Sequence, residues 1–435
     1  GLLKSYLGVK DADSLQQIRQ RVTAALETVG EPRDTIGPAL LSLLDVPVDD
    51  GAWLALDPKE RRRHTLDAVK RLLLGDAQKR PLMVVFEDLH WIDNETQALL
   101  DLLVDNLGSS RLLLLVTYRL EYHHAWSSKT FYSQLRLDPL SSDRAAQFLD
   151  ALLGHAPELA PLKQRLVRRG NPFFLEETVR SLVETQVLEG DGGRYRLTKP
   201  VESFQVPASV QTLLAARIDR LSAEDKHLLQ VAAVVGKEAP YALLRAVAEL
   251  PDDALHRRLA SLQAAEFVYE TQQREDPGYS FKHALTQEVA YAGLLHERRR
   301  QLHARIVDAI EQLSHDRLDQ HIERLAHHAL QGCLGEKALN YLQQAGLRAF
   351  ARSVPQDART WFEQALGVLE TLPETKKTLE AAFEIGIQLQ VVLHELTDIP
   401  QALALLPSLG DVADRLDDDN RRGRVCSIRT ITNLM

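Results

Sequence analysis

The pattern of apolar and polar positions changes character several times along the chain. Up to about residue 80 the apolar positions recur at helical spacing, which predicts helices from near Ser14 to Thr28 and from Pro58 to Leu74. Pro and Gly around Glu31–Pro38 and Val46–Gly51 predict loops. Two unbroken apolar runs follow, Leu82-Met83-Val84-Val85-Phe86 and Leu112-Leu113-Leu114-Leu115-Val116. Such runs are expected of strands buried on both faces, because half-buried strands alternate. Between them the pattern predicts one helix, with Asn94 at its start, Gln97 three residues on and Gly108 past its end. Strand, helix and strand in so short a span predict a parallel α/β sheet.

From Ser141 the pattern is helical again, over Asp143–Leu153, Pro161–Arg169 and Pro172–Thr185, followed by a short hairpin turning at Gly190-Asp191-Gly192-Gly193. From Val206 to about Leu313 helices are expected at Val210–Arg220, Ala223–Val234, Tyr241–Ala248 and Asp252–Ala265. A hairpin comes next, Phe267–Thr271 and Tyr279–Lys282 around Asp276-Pro277-Gly278, and a long basic helix closes the segment. Helices followed by a hairpin describe a winged helix. After about Leu318 helix pairs are punctuated by Gly332, Gly335, Pro355, Pro373 and Pro400.

Composition narrows the classes. Apolar residues make up 45 % and charged residues 26 %, a soluble globular balance. The net charge of −9 argues against a broad nucleic-acid-binding face, which needs an excess of Lys and Arg to displace counterions. No apolar run reaches the length of a membrane span and no signal peptide is visible, so a cytoplasmic location is the expectation. Cys333 and Cys426 lack metal-ligand spacing and read as ordinary thiols. The chain opens at Gly1 and closes within a helical pattern, which reads as a piece of a longer protein.

Four motifs carry candidate chemistry. In VVFEDLHWID, Val84 to Asp93, Glu87 and Asp88 stand where an apolar strand runs out into a loop. Parallel sheets bind ligands at the carboxyl ends of their strands, so one acid can hold Mg²⁺ and the other orient water. The alternative is a pair of acids capping the next helix. In LLLLVTYR, Leu112 to Arg119, Thr117 offers a hydrogen-bond donor and Arg119 a charge for a γ-phosphate; a surface Arg at a strand end is the alternative. In RGNPFFLEE, Arg169 to Glu177, Gly170 closes one helix, Asn171 caps the next and Pro172 is its first residue. In FKHALTQEVAY, Phe281 to Tyr291, His283 stands where the hairpin meets a helix, as a donor to a diphosphate or as a structural histidine. His296-Glu297 resembles the start of a zinc-protease helix, but Arg300 stands where the second His belongs. The basic run Glu297-Arg298-Arg299-Arg300 reads as a solvated helix face.

Together and in this order the four motifs resemble the STAND class of signal-transduction ATPases within the AAA+ fold. More narrowly, they resemble the ATPase segments found behind class III adenylate/guanylate cyclase domains and in large LuxR-type regulators. The resemblance runs from about residue 80 to 370. It implies Glu87 and Asp88 as a Walker B pair and metal ligands, with Glu87 favoured for Mg²⁺ and Asp88 for water. It implies Thr117 and Arg119 as the sensor, Gly170 and Pro172 at the base, and His283 at the diphosphate. The implied cofactors are ATP or ADP with Mg²⁺. The implied fold class is α/β, a partial P-loop NTPase with a parallel sheet, followed by mostly α structure. That gives a partial NTPase core over 1–138, a helical lid over 139–205, a winged helix over 206–315 and the start of TPR-like repeats over 316–435. Ala345-Gly346, Ala358, Phe362 and Ala365-Leu366 fall at repeat spacing, though Leu342 stands where a Trp is usual. Such repeats take a protein partner or inducer. The effector is expected outside this chain, and a nucleotide-dependent oligomer is a further expectation. The sequence departs from the family in holding no G-x-x-x-x-G-K-[ST], since Gly236-Lys237 is followed by Glu238. That loop supplies the phosphate cradle, so tight nucleotide binding and hydrolysis are not expected of these residues alone. A LuxR-type transcription regulator and a nucleotide-independent scaffold remain as alternative readings.

Overall fold

The computed structural model describes residues 2–10, 13–200, 207–271 and 277–434. Val206 and Asp276, named above at a domain start and a turn, lie outside the described residues. The chain forms two compact units, one of Gly1–Gln134, Ile322–Leu330 and Leu334–Met435, the other of Leu135–His321 and Gln331–Cys333. No described helix is long and apolar enough to cross a membrane.

In the first unit the helix Leu15–Val29 begins at Ser14 in a reciprocal capping box with Gln17. Arg33–Leu43 is also helical, so the loop expected over Glu31–Pro38 ends early. Pro38 removes one helical hydrogen bond, but Ile36, Ala39 and Leu40 are buried on the same face, and that burial outweighs the loss. The helix from Pro58 runs to Lys79, past the expected end at Leu74. Gly75 allows a close approach: a Cβ there would lie 3.0 Å from Cβ of Val29.

Leu82–Phe86 and Leu112–Val116 pair in parallel, with Leu82 opposite Leu112 and Phe86 opposite Val116. The helix between them is Asn94–Val104, and its N-cap is Asp93, not Asn94: Asp93 Oδ1 accepts from the Thr96 N–H at 2.7 Å. The expectation of burial on both faces is not met. Val84 and Leu112 are buried against the helical core, whereas Met83, Val85, Leu113 and Leu115 are exposed. Because the paired positions share a face, Met83 with Leu113 and Val85 with Leu115 make one bare apolar surface among the described residues.

The same unit holds the helices Ile322–Gln331, Gly335–Ala351, Pro355–Thr371, Lys376–Glu395, Ile399–Arg415 and Asp419–Leu434, each from Gly335 on packed on the next. Glycines set two of the close crossings. A Cβ on Gly346 would lie 2.4 Å from the Phe362 ring, and one on Gly386 2.4 Å from Leu409 Cδ2. Across more than three hundred residues of sequence, Asp45 accepts from Arg352 Nε at 2.8 Å and Nη2 at 2.6 Å, and also from Arg348. Arg352 also reaches Glu323 at 2.9 Å.

The second unit begins with the helices Ser142–Leu153 and Pro172–Glu184 around a leucine-rich core. Leu188–Glu189 and Arg196–Leu197 form the expected hairpin. The helices Val210–Asp219, Ala223–Val235, Tyr241–Ala248 and Asp252–Ala264 follow. A three-stranded antiparallel sheet comes next, with the wholly buried Gly278–Phe281 between Glu238–Pro240 and Val268–Thr271. Ala284–Ala292 and His296–Leu313 close the unit.

Candidate functional site

The candidate residues fall into two sets, one in each compact unit. The first is built where the parallel strands end. The Thr117 N–H donates to Phe86 O at 2.9 Å and so extends the ladder by one residue. The chain then turns at Asp88, which adopts the left-handed conformation at φ 57° and ψ 47°. That turn is held from the neighbouring strand: the Asp88 N–H donates to Thr117 Oγ1 at 3.0 Å and the Leu89 N–H to Thr117 O at 2.9 Å. Thr117 Oγ1 is thus an acceptor here, and its own O–H stays available as a donor. Glu87, Asp88, Thr117 and Arg119 are all exposed. Their chemistry is that of hard oxygen ligands beside a hydroxyl donor and a guanidinium, which suits Mg²⁺ and phosphate. Neither acid caps the following helix, since Asp93 does that.

A cavity of about 730 Å³ opens beside this turn, lined by Leu89, His90, Asn94, Tyr122, His124 and Trp126 among others, and by none of the four residues just named. His124 is held below its ordinary pKa by burial, and its ring stacks on Trp126 at 4.7 Å. Both ring nitrogens of His90 are buried without a partner among the described residues. The sequence reading gave His90 no role.

The second set comprises Gly170, Pro172 and His283. Gly170 stands at φ 61°, and a Cβ there would lie 3.0 Å from Leu140 O and 3.1 Å from Pro139 Cβ. Its carbonyl accepts from Leu140 N–H at 2.7 Å. The backbone therefore requires glycine at this position whatever else it meets. Asn171 caps the helix that Pro172 opens, accepting from Phe174 N–H at 3.2 Å. The exposed Pro172 is followed by Phe173, whose ring centroid lies 4.1 Å from that of His283. Two motifs more than one hundred residues apart in sequence are therefore in contact. Burial lowers the His283 pKa, Lys282 and Arg180 act in the same direction, and Glu177 and Glu176 oppose them. The ring is thus neutral near pH 7.

What holds this second set was not legible. Arg217, 2 % exposed, bonds Glu177, Glu184 at 2.8 Å and Ala265 O at 3.0 Å, and lies 4.7 Å from the Phe267 ring centroid. Arg180 bridges Glu177 at 2.8 Å and Glu266 at 2.6 Å. The helix that begins at Pro172 is so tied by buried charge to the elements that carry His283. Gly236-Lys237 is not a phosphate loop: Gly236 ends the helix Ala223–Val235 at φ 133°.

Residues 2–116 match the AAA ATPase domain family. The segment with the parallel strands is therefore similar to the ATPases of that family. An uncharacterized protein of Rhizobium meliloti (strain 1021) is 29 % identical over 327 residues, which cover 73 % of this chain and 31 % of the relative. The chain thus spans about a third of the length of that curated relative. A solved structure, that of a Signal Transduction ATPase with Numerous Domains (STAND) protein with a tetratricopeptide repeat sensor from Pyrococcus horikoshii, is 12 % identical. It aligns with 98 % of this chain and 71 % of its own at a TM-score of 0.40.

Proposed function

We propose that the chain is the regulatory part of a nucleotide-responsive signalling switch of the STAND type, working in the cytoplasm. The observation that carries this reading is the meeting of Glu87, Asp88 and Thr117 at open strand ends, inside the segment similar to AAA ATPase domains. In this reading Glu87 holds Mg²⁺, Asp88 orients water, and Thr117 and Arg119 meet the γ-phosphate. Gly170 and Pro172 flank the base, and the segment 206–315 acts as a winged helix whose His283 meets the diphosphate. ADP then favours a closed state and ATP an open, assembling one, because a ligand shifts such an equilibrium only by binding the two states unequally. The helices from Ile322 act as TPR-like repeats that take a protein partner or inducer. The output is assigned to a domain beyond these residues, an adenylate/guanylate cyclase or, alternatively, a LuxR-type DNA-binding domain.

Mg²⁺ and nucleotide fit the oxygen donors at the strand ends. The Lys and backbone cradle of a P-loop are not encoded in these residues. The alternative is a scaffold that binds protein through its repeats without nucleotide, which absence of nucleotide binding in the intact protein would favour.

Calorimetric titration of the natural full-length protein with Mg·ATP and Mg·ADP separates the two. Saturable binding that Asp88→Asn or Glu87→Gln weakens by about tenfold in Mg²⁺ but not in chelator supports the switch. Equal binding by the variants removes the assignment of Mg²⁺ to Glu87 and Asp88, and no binding at all leaves the scaffold.

A further inference from the structure

A groove of about 520 Å³ runs between Asp57, Pro58 and Lys59 on one side and the helices Lys376–Glu395 and Asp419–Leu434 on the other. Gln390 forms part of its lining and is 1 % exposed, yet neither Nε2 nor Oε1 of its amide has a hydrogen-bond partner among the described residues. An amide in that state has given up water and gained nothing in exchange. The adjacent His394 cannot relieve it. Its Nδ1 faces the Gln390 backbone carbonyl at 2.7 Å and so donates there, and its Nε2 meets the Thr432 hydroxyl at 2.8 Å.

The remaining lining is part apolar and part charged. Val391 is 46 % and Ile431 56 % exposed, with Ile428 and Pro58 beside them. Asp57, Lys59 and Glu395 also line it. Burial pushes the Glu395 carboxyl up, Lys59 acts against it, and Asp57 adds to it. Charges of both signs leave no field that selects an ion. A primary amide is matched by a group that donates and accepts in one plane, which another amide does. Val391, Ile428 and Ile431 call for an aliphatic body.

We propose that this groove binds a small uncharged aliphatic amide, of the size of a capped amino acid or dipeptide. Its amide pairs with Gln390 and its side chain lies on Val391, Ile428 and Ile431. The proposal names a ligand class for the repeats of the switch described above. It rests on that reading for the signal the ligand carries, not for the binding itself.

The probe is N-acetyl-leucinamide, titrated into the full chain and followed by ligand-observed NMR and by melting temperature. The expected dissociation constant is on the order of 1 mM, in line with a ligand of about a dozen non-hydrogen atoms. Gln390→Leu removes the stranded amide, so it is expected to raise the melting temperature by about 2–4 °C while weakening the probe at least about tenfold. Ile431→Asp, at an exposed position, is expected to leave the melting temperature unchanged and weaken the probe to a similar degree. The proposal is overturned if the probe does not saturate, if Gln390→Leu binds it as well as the parent, or if that variant melts lower, which would give the amide a structural partner. Titration of the natural full-length protein with the probe and with Mg·ATP keeps the two readings apart. Probe binding without nucleotide binding removes the switch and leaves the site, and the reverse result removes only the site.

Discussion

His283 is a residue whose environment makes a pH prediction with a definite sign. Its folded pKa lies below the ordinary 6.5, burial being the first cause. As pH falls through 6.5 the unfolded chain takes up the proton before the folded one does. The second unit therefore loses stability over the window from 6.5 down to the folded value, and loses no more below it. Melting curves from about pH 7.5 to about pH 5 should show the parent falling relative to His283→Gln, with the two parallel above pH 7. A constant gap across the range would mean that the ring is not desolvated by Phe173 and its neighbours. Asp88 makes a different residue-scale point. An aspartate tolerates the left-handed region better than most side chains, and there its backbone N–H reaches Thr117, so the turn and the acid are set by one residue.

Among elements, buried charge ties the helices of the second unit together. Removing one partner from the Arg217–Glu177–Glu184 network strands the others in a low-dielectric interior, so Arg217→Ala should cost about 3–5 kcal/mol in chemical denaturation. Arg217→Met with Glu177→Gln should recover much of that loss, since the volume is kept and the orphaned charge is gone. In the helices from Ile322, Gly346 faces a Phe362 ring that is fully buried. Gly346→Ala forces that ring aside and should cost about 1–3 kcal/mol, with Phe362→Leu in the same chain relieving part of it.

These elements also mark how far the sequence could be read. Leu82–Phe86 and Leu112–Val116 were legible to the residue, because a run of five apolar residues between polar breaks has few other outcomes. That one face of the pair stands bare was not, since a continuous run looks the same whether or not its second face has a cover. Pro38 reads as punctuation, while its actual setting in a buried helix, like the contact of Gly75 with Val29, depends on partners elsewhere in the chain. The strand-end acids, Thr117, Pro172 and His283 were visible as motifs, whereas the contact of Phe173 with His283 was not. Arg217 and Glu177 were not, because an isolated charge on a helical pattern gives no sign of being buried, and Gln390 stayed hidden for the same reason.

For the whole molecule the contact at Asp45 joins the chain's first and last thirds within one unit. Burial alone would raise its carboxyl pKa, but hydrogen bonds from Arg352 and Arg348 hold it below the usual carboxylate range. The stabilisation is therefore present above about pH 4 and lost as pH falls through the lowered value. Asp45→Asn keeps a side chain that accepts the left-handed backbone at φ 60° and removes only the charge. Because the carboxylate is partly open to solvent, the expected loss is modest, about 1 kcal/mol, larger in low salt and nearly absent in about 1 M salt. An effect insensitive to salt would assign the loss to the hydrogen bonds from Arg352 and Arg348 rather than to the charge.

That same long-range closure has a consequence for biosynthesis. The second unit is drawn mainly from one continuous stretch, Leu135–His321, so nearly everything it needs leaves the ribosome together. The first unit is interrupted by it and cannot be completed until the residues after Ile322 have been made. At ordinary elongation rates of about 5–20 residues per second, the segment with the parallel strands waits on the order of ten seconds with its bare apolar face and without its last partners. What that interval adds to the apolar face is the exposure of the helical surface around Asp45 that the residues after Ile322 later meet.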